Sequence, residues 1–246
     1  MPSLRFTTWN MNGTSNVAKF RALARSTDVA VLNEVGSNLS ELQREPRYLR
    51  RVGELPSRGV ALVAWGVDAE TWEPATPPGR HGCGATLSME WVWWACGPVP
   101  LRPSSRLRRV RAPTITAFED LLTSRPCILA GDFNVSAPGS SRYAAAIFDR
   151  LDELGYRSAY HSFTGEPYGP RHSRRTTISA RRPSLHIDFV FLPDALVPAS
   201  WTWRSDRSEL ARTAPSPSAI APLTVWLDTE GIAAALPSHS GGRRSG

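Results

Sequence analysis

Three short apolar runs in this chain end in carboxamide or carboxylate side chains, and a fourth begins with one. The first run closes on Trp9-Asn10-Met11-Asn12-Gly13, the second on Asn33-Glu34 and the third on Gly131-Asp132-Phe133-Asn134, while Asp188 stands near the start of the fourth. Strand ends gather at the rim of a packed sheet, where loops carry functional groups on a rigid base. Oxygen donors of this kind suit a hard cation such as Mg²⁺, which keeps several waters and needs only one or two carboxylates. A polarised phosphate and a positioned water would complete a hydrolase site. Each residue also has a plainer reading. Asn10 and Asn12 suit a turn before Gly13, Glu34 suits a strand end, and Asp132 suits a turn or a helix N-cap. Asp188 lies inside an apolar run, where a carboxylate is costly without a partner.

The elements that must position these residues are legible as patterns. Leu4 to Trp9, Val29 to Leu32, Gly59 to Trp65, Thr86 to Cys96, Cys127 to Ala130, Ile187 to Leu192 and Pro222 to Leu227 read as strands rich in branched and aromatic residues. Gly59 to Trp65 and Thr86 to Cys96 are expected to form a central pair. Helical spacing appears at Val17, Phe20, Leu23 and Ala24 after Ser15 and Asn16, at Ala117 to Leu122, and at Ala144 to Leu154 with Gly155 as its cap. Strands and helices in this mixed order predict an α/β fold, two packed sheets covered by helices.

The chain has 246 residues, a length that one mixed α/β domain accommodates, and residues 1–230 are assigned to it. Residues 231–246 turn to small residues, Pro, Ser and Gly, and are expected to form a disordered tail. The formal charge of +7 comes almost wholly from arginine. Such an excess favours polyanionic partners, or reflects a general use of Arg in place of Lys, and the charge alone does not choose. Cys83, Cys96 and Cys127 are too few and too scattered for a disulfide framework or a zinc site. The first strand starts by residue 4 and no run is long enough to span a bilayer, so a cytoplasmic protein without membrane contact is expected.

Taken in order, Thr8 to Gly13 (TWNMNG), Leu32 to Val35 (LNEV), Gly131 to Asn134 (GDFN) and His186 to Pro193 (HIDFVFLP) resemble the signature of the endonuclease/exonuclease/phosphatase superfamily. Its members include deoxyribonucleases, exonuclease III-like repair nucleases, inositol-phosphate phosphatases and sphingomyelinases. The resemblance implies a four-layer α/β sandwich, with two mixed β-sheets flanked by helices, and an Mg²⁺-dependent phosphoester hydrolase, Mn²⁺ serving as a substitute. It implies Glu34 as principal metal ligand, with Asn10 holding the metal-and-phosphate cluster. Asp132 would orient or deprotonate the attacking water and Asn134 would hold the phosphate. Asp188 would be the carboxylate that supports a histidine of the closing motif, and Asn12 falls where some members carry an aspartate.

That closing motif, Ser-Asp-His before a proline, is degenerate here. In the register of Ser218-Ala219-Ile220-Ala221-Pro222 the Asp-His pair becomes Ala219 and Ile220, and in that of Ser205-Asp206-Arg207 the histidine becomes arginine. The strand ending Trp94-Ala95-Cys96 also lacks the histidine that many members carry at its end. His186, two residues from Asp188 and on the same strand face, is a candidate replacement, or a plain strand-entry histidine. Arginines cluster at Arg102 to Arg111 and at Arg171 to Arg182, and Arg174 and Arg175 of the second cluster are candidate phosphate contacts. Tyr160, Phe163 and Tyr168 could stack on a base or pack in the core. The partner expected is nucleic acid or another phosphate ester, met by a monomer. A binding protein without turnover and a small-molecule phosphatase or phosphodiesterase are the alternatives.

Overall fold

The computed structural model describes residues 3–11, 17–37, 39, 46–55, 58–65, 67, 69–72, 82–87, 91–96, 115, 119–124, 126–133, 135, 142–168, 188–197, 222–228 and 230. In chain order the elements are β1 (Ser3–Asn10), α1 (Val17–Ser26), β2 (Val29–Asn33), β3 (Tyr48–Leu55), β4 (Arg58–Ala64), β5 (Ala69–Trp72), β6 (Gly82–Leu87) and β7 (Trp91–Cys96). There follow α2 (Glu119–Ser124), β8 (Cys127–Asp132), α3 (Arg142–Glu153), β9 (Tyr156–Ser158), α4 (Ala159–Thr164), β10 (Asp188–Pro193) and β11 (Leu223–Asp228). The strands form two sheets, ordered β11-β1-β2-β4-β3 and β5-β6-β7-β8-β10-β9.

Period-two alternation decides which residues meet in the middle. Leu4 and Phe6 of β1, Val29 and Val31 of β2, and Val60 and Leu62 of β4 face Ile128, Ala130, Val190 and Leu192 of the second sheet in one buried cluster. The opposite face of the first sheet, with Trp9, Ala30, Leu32, Ala61 and Val63, is covered by Phe20, Ala22 and Leu23 of α1. The outer face of the second sheet, with Cys127, Leu129, Phe189 and Phe191, is covered by Leu122 of α2 and by Ala144, Ile147, Phe148 and Leu151 of α3. Helix, sheet, sheet, helix is the four-layer arrangement expected. Gly155, with φ of 71° and its N–H donated to Asp152, ends α3 as its position in the sequence suggested.

Two expectations are corrected. Thr86 to Cys96 is not one strand: β6 and β7 form an antiparallel hairpin, pairing Leu87 with Trp91 and Gly82 with Cys96. No Gly, Pro, Asn or Asp stands between Leu87 and Trp91 to announce the turn. Nor do those strands pair with Gly59 to Trp65, because β4 lies in the first sheet between β2 and β3. Strand β3 was missed altogether. It is an edge strand carrying Arg50, Arg51 and Glu54, so it lacks a clean apolar alternation.

Two contacts set the frame for the site. Arg5 of β1 donates from Nε and Nη2 to the carboxylate of Asp28 at 3.1 and 2.7 Å, and its backbone N–H adds a third bond at 2.8 Å. This bonding raises the Arg5 pKa above its ordinary value and ties the start of β2 to β1. The Tyr156 hydroxyl, buried under α2, donates to the Leu122 carbonyl at 3.1 Å. Burial pushes its pKa up, so the folded chain keeps this proton at a pH where the unfolded chain has lost it. Stability therefore falls as pH rises past about 10, the ordinary tyrosine value. Tyr156→Phe is expected to cost about 1 kcal/mol at neutral pH by urea unfolding and to flatten that alkaline decline. An unchanged alkaline slope would show that other groups cause it.

Candidate functional site

The parallel pairing of β1 with β2 sets Asn10 beside Asn33 at the ends of both strands. By alternation each faces the second sheet, where β8 and β10 bring Asp132 and Asp188 directly opposite each other. All four are buried, with exposures of 6% for Asn10, 0% for Asn33, 2% for Asp132 and 1% for Asp188. The two sheets thus close on a polar floor beside an apolar interface. Asn10 spans it: its Nδ2 donates to Asp132 Oδ2 at 2.8 Å and reaches Glu34 Oε1 at 3.4 Å.

Glu34 reaches that position through a break in the β2 ladder. Strand β2 pairs with β4 in a register that sets Leu32 against Ala61. Continued, that register would put Glu34 opposite Gly59. Instead Val35 exchanges both backbone bonds with Gly59, at 2.9 and 3.0 Å. Glu34 is the extra residue of a β-bulge, and its φ of 50° is the left-handed conformation that such bulges adopt. Glu34 is the one non-glycine residue with positive φ among the described residues. The bulge reverses the alternation, so Val35 packs under α1 with Leu32 while the Glu34 carboxylate turns to the Asn10 side. A non-glycine residue held this way costs of order 1 kcal/mol, and such strain gathers at functional sites.

The electrostatics follow from the register. Like charges on directly opposed residues of one buried face are unfavourable unless other groups offset them. The Asn10 amide offers a positive dipole to Asp132, and a bound cation would offset more of the charge. Among the described residues no group of three or more His, Cys, Asp or Glu side chains closes into a ready metal cage. Mg²⁺ does not require one: it prefers oxygen donors of the kind Glu34, Asp132 and Asp188 offer and completes its shell with water.

Of the residues singled out from sequence, Asn10, Glu34, Asp132 and Asp188 are therefore brought together. Asn12, Asn134, Arg174, Arg175 and His186 lie outside the described residues, as do both arginine clusters, Ala219 and Ile220. The aromatic candidates divide. Tyr160 is in the core between the sheets, Tyr168 stacks on His161 with ring centroids 3.9 Å apart, and Phe163 alone is exposed. His161 bonds Ser158 Oγ through Nδ1 at 2.7 Å and packs against Phe189, on the far side of the second sheet from the carboxylates. Two polar residues went unassigned by the motifs. Asn33 belongs to the floor itself, and Thr8, one pleat deeper than Asn10 on the same face, keeps a buried hydroxyl with no hydrogen-bond partner among the described residues. The signal for both was period two counted back from Asn10 and across to β2.

Comparison with known proteins identifies the family and the fold. The family model described as Endonuclease/Exonuclease/phosphatase family matches residues 7–216. Among solved structures, the endonuclease domain of TRAS1, a telomere-specific non-LTR retrotransposon, is similar with a TM-score of 0.64 at 14% identity, over 92% of this chain and 98% of that one. An endonuclease/exonuclease/phosphatase family protein from Bacteroides thetaiotaomicron is similar with a TM-score of 0.62 at 15% identity, over 92% of this chain and 97% of that one. No curated protein matches.

Proposed function

The chain belongs to the endonuclease/exonuclease/phosphatase family of phosphoester hydrolases, and from that premise we propose that it is a metal-dependent, nuclease-like phosphodiesterase, slowed by the loss of the family's closing Asp-His pair. The observation that carries this reading is Asn10 bonded to both Glu34 and Asp132, with Asp188 opposed to Asp132 on the same buried face. Glu34 and Asn10 would hold Mg²⁺ or Mn²⁺, which supplies charge to polarise a phosphate oxygen and to acidify water.

The remaining chemistry belongs to the chain. Asp132, held by Asn10, orients a water and accepts its proton as the new phosphorus–oxygen bond forms. Asn134 donates to a phosphate oxygen, as the family motif implies. The bond to the leaving oxygen breaks, and that oxygen takes a proton from solvent. Ala219 and Ile220 offer no imidazolium to the developing charge, and loss of such a donor typically costs about 10²–10³-fold in rate. The net charge of +7 is compatible with a polyanionic substrate such as nucleic acid. The endonuclease domain among the similar structures points the same way. The setting proposed is the cytoplasm, and the working unit a monomer.

The test is hydrolysis of a model phosphodiester and of plasmid DNA across a Mg²⁺ and Mn²⁺ titration, with Glu34→Ala in parallel. Slow cleavage that needs metal and vanishes in Glu34→Ala is expected. No cleavage at any metal level, with metal-dependent DNA binding retained, would replace the hydrolase with a binding protein. Cleavage of small esters but not DNA would move the substrate class to a small-molecule phosphodiesterase or phosphatase.

A further inference from the structure

The bulge that aims Glu34 needs something to hold it, since a left-handed glutamate and a one-residue register slip are each unfavourable alone. Two features outside the family motifs meet there. Arg51 of β3 donates from Nε to the Val35 carbonyl at 3.1 Å, the same carbonyl that accepts the Gly59 N–H. The Arg51 guanidinium also lies flat against Gly59. A Cβ on that residue would come within 2.6 Å of Cζ and 2.7 Å of Nε and Nη2. Gly59 therefore leaves the space in which Arg51 reaches across β4 to Val35. Val35 is completely buried, and the bond to its carbonyl is partly buried. This clamp sits on the α1 side of the first sheet, where Leu49 of β3 and Ala61 of β4 also pack. Arg51 thus touches the bulge from behind and does not enter the carboxylate floor.

We propose that Arg51, seated on Gly59, is a positioning residue that locks the Glu34 bulge and so sets the carboxylate against Asn10. Its functional consequence rests on the metal-dependent reading above. A group that orients a metal ligand without touching the metal typically governs about 10–100-fold in metal affinity. Gly59→Ala is the incisive variant. The three atoms nearest its methyl group all belong to the end of a flexible side chain, and Gly59 is not among the glycines with positive φ. It should fold and expel the guanidinium without deleting it.

The experiment uses the full chain carrying Arg51→Ala, Arg51→Lys or Gly59→Ala, with Glu34→Gln as reference. Metal-free NMR follows amide exchange at Val35 and Gly59 and the side-chain amide signal of Asn10. Mn²⁺ binding is then titrated by electron paramagnetic resonance. In Arg51→Ala and Gly59→Ala, the amides at positions 35 and 59 are expected to lose about 10-fold in protection relative to Val31 and Leu62. The Asn10 signal should move toward its Glu34→Gln position, and Mn²⁺ affinity should drop about 10-fold. Arg51→Lys, with a smaller donor on a flexible stem, should fall between. Wild-type protection and an unmoved Asn10 signal in either folded variant overturn the proposal. So does lost protection with an unmoved Asn10 signal or undiminished Mn²⁺ affinity, which would make Arg51 structural only. If the wild-type chain itself binds no Mn²⁺, the metal-dependent reading fails, and the exchange and Asn10 signals still decide the clamp.

Discussion

Asp132→Asn is expected to lower phosphodiester hydrolysis by about 10³-fold at saturating metal, within the range removal of a positioned general base produces. The substitution is nearly isosteric, and an asparagine oxygen can still accept the bond from Asn10 Nδ2. What it removes is the charge and the capacity to take a proton from water. It also removes one half of the opposed pair with Asp188. The variant should therefore be at least as stable as the parent in metal-free buffer, because the repulsion across β8 and β10 is gone. The rise in Tm that Mg²⁺ confers should shrink in the same variant, since ligand-linked stability scales with affinity. Steady-state rates and thermal melts with and without Mg²⁺ test both halves. A variant that is slower but markedly less stable without metal would mean that favourable contacts of the Asp132 carboxylate outweigh its opposition to Asp188.

Phe189→Ala is expected to cost about 3–5 kcal/mol, the range for a fully buried aromatic. Phe189 follows Asp188 and points the other way, into the outer layer, where it is completely buried. Its ring meets Phe191 at 5.3 Å, Phe148 at 5.4 Å, Phe133 at 5.8 Å and His161 at 5.8 Å. The cavity would open directly behind the strand that carries Asp188, so activity should fall along with stability. Phe163→Ala is the control. That ring is 48% exposed, and its loss should stay within about 0.5 kcal/mol. Urea unfolding of both variants decides the comparison. Equal costs would mean that the outer layer of the second sheet is not packed as described.

Much of the layer plan was legible because it rests on periodicity. Branched and aromatic runs marked β1, β2, β4, β8, β10 and β11, and the spacing of Ala144, Ile147, Phe148 and Leu151 marked α3. The break between β6 and β7 was not legible, because Ser88-Met89-Glu90 carries no Gly, Pro, Asn or Asp. Membership of one sheet or the other was also hidden. Nothing local to β4 says that it pairs with β2 rather than with the strands that follow it.

The site divides in the same way. Asn10, Glu34, Asp132 and Asp188 could be named from sequence, because side-chain type and position at a strand end are local properties and the motifs preserve them. The sequence by itself therefore determined which candidate groups stand at the strand ends, and that neither register of the closing motif, Ser218-Ala219-Ile220 or Ser205-Asp206-Arg207, carries a histidine. Only the tertiary structure decided how those groups face one another. The opposition of Asp132 to Asp188 is a matter of strand register, the bond from Asn10 to Asp132 crosses between sheets, and the turn of Glu34 depends on Gly59 and Arg51 in neighbouring strands. Register and inter-sheet packing are set by the summed burial of whole faces, which no short motif encodes.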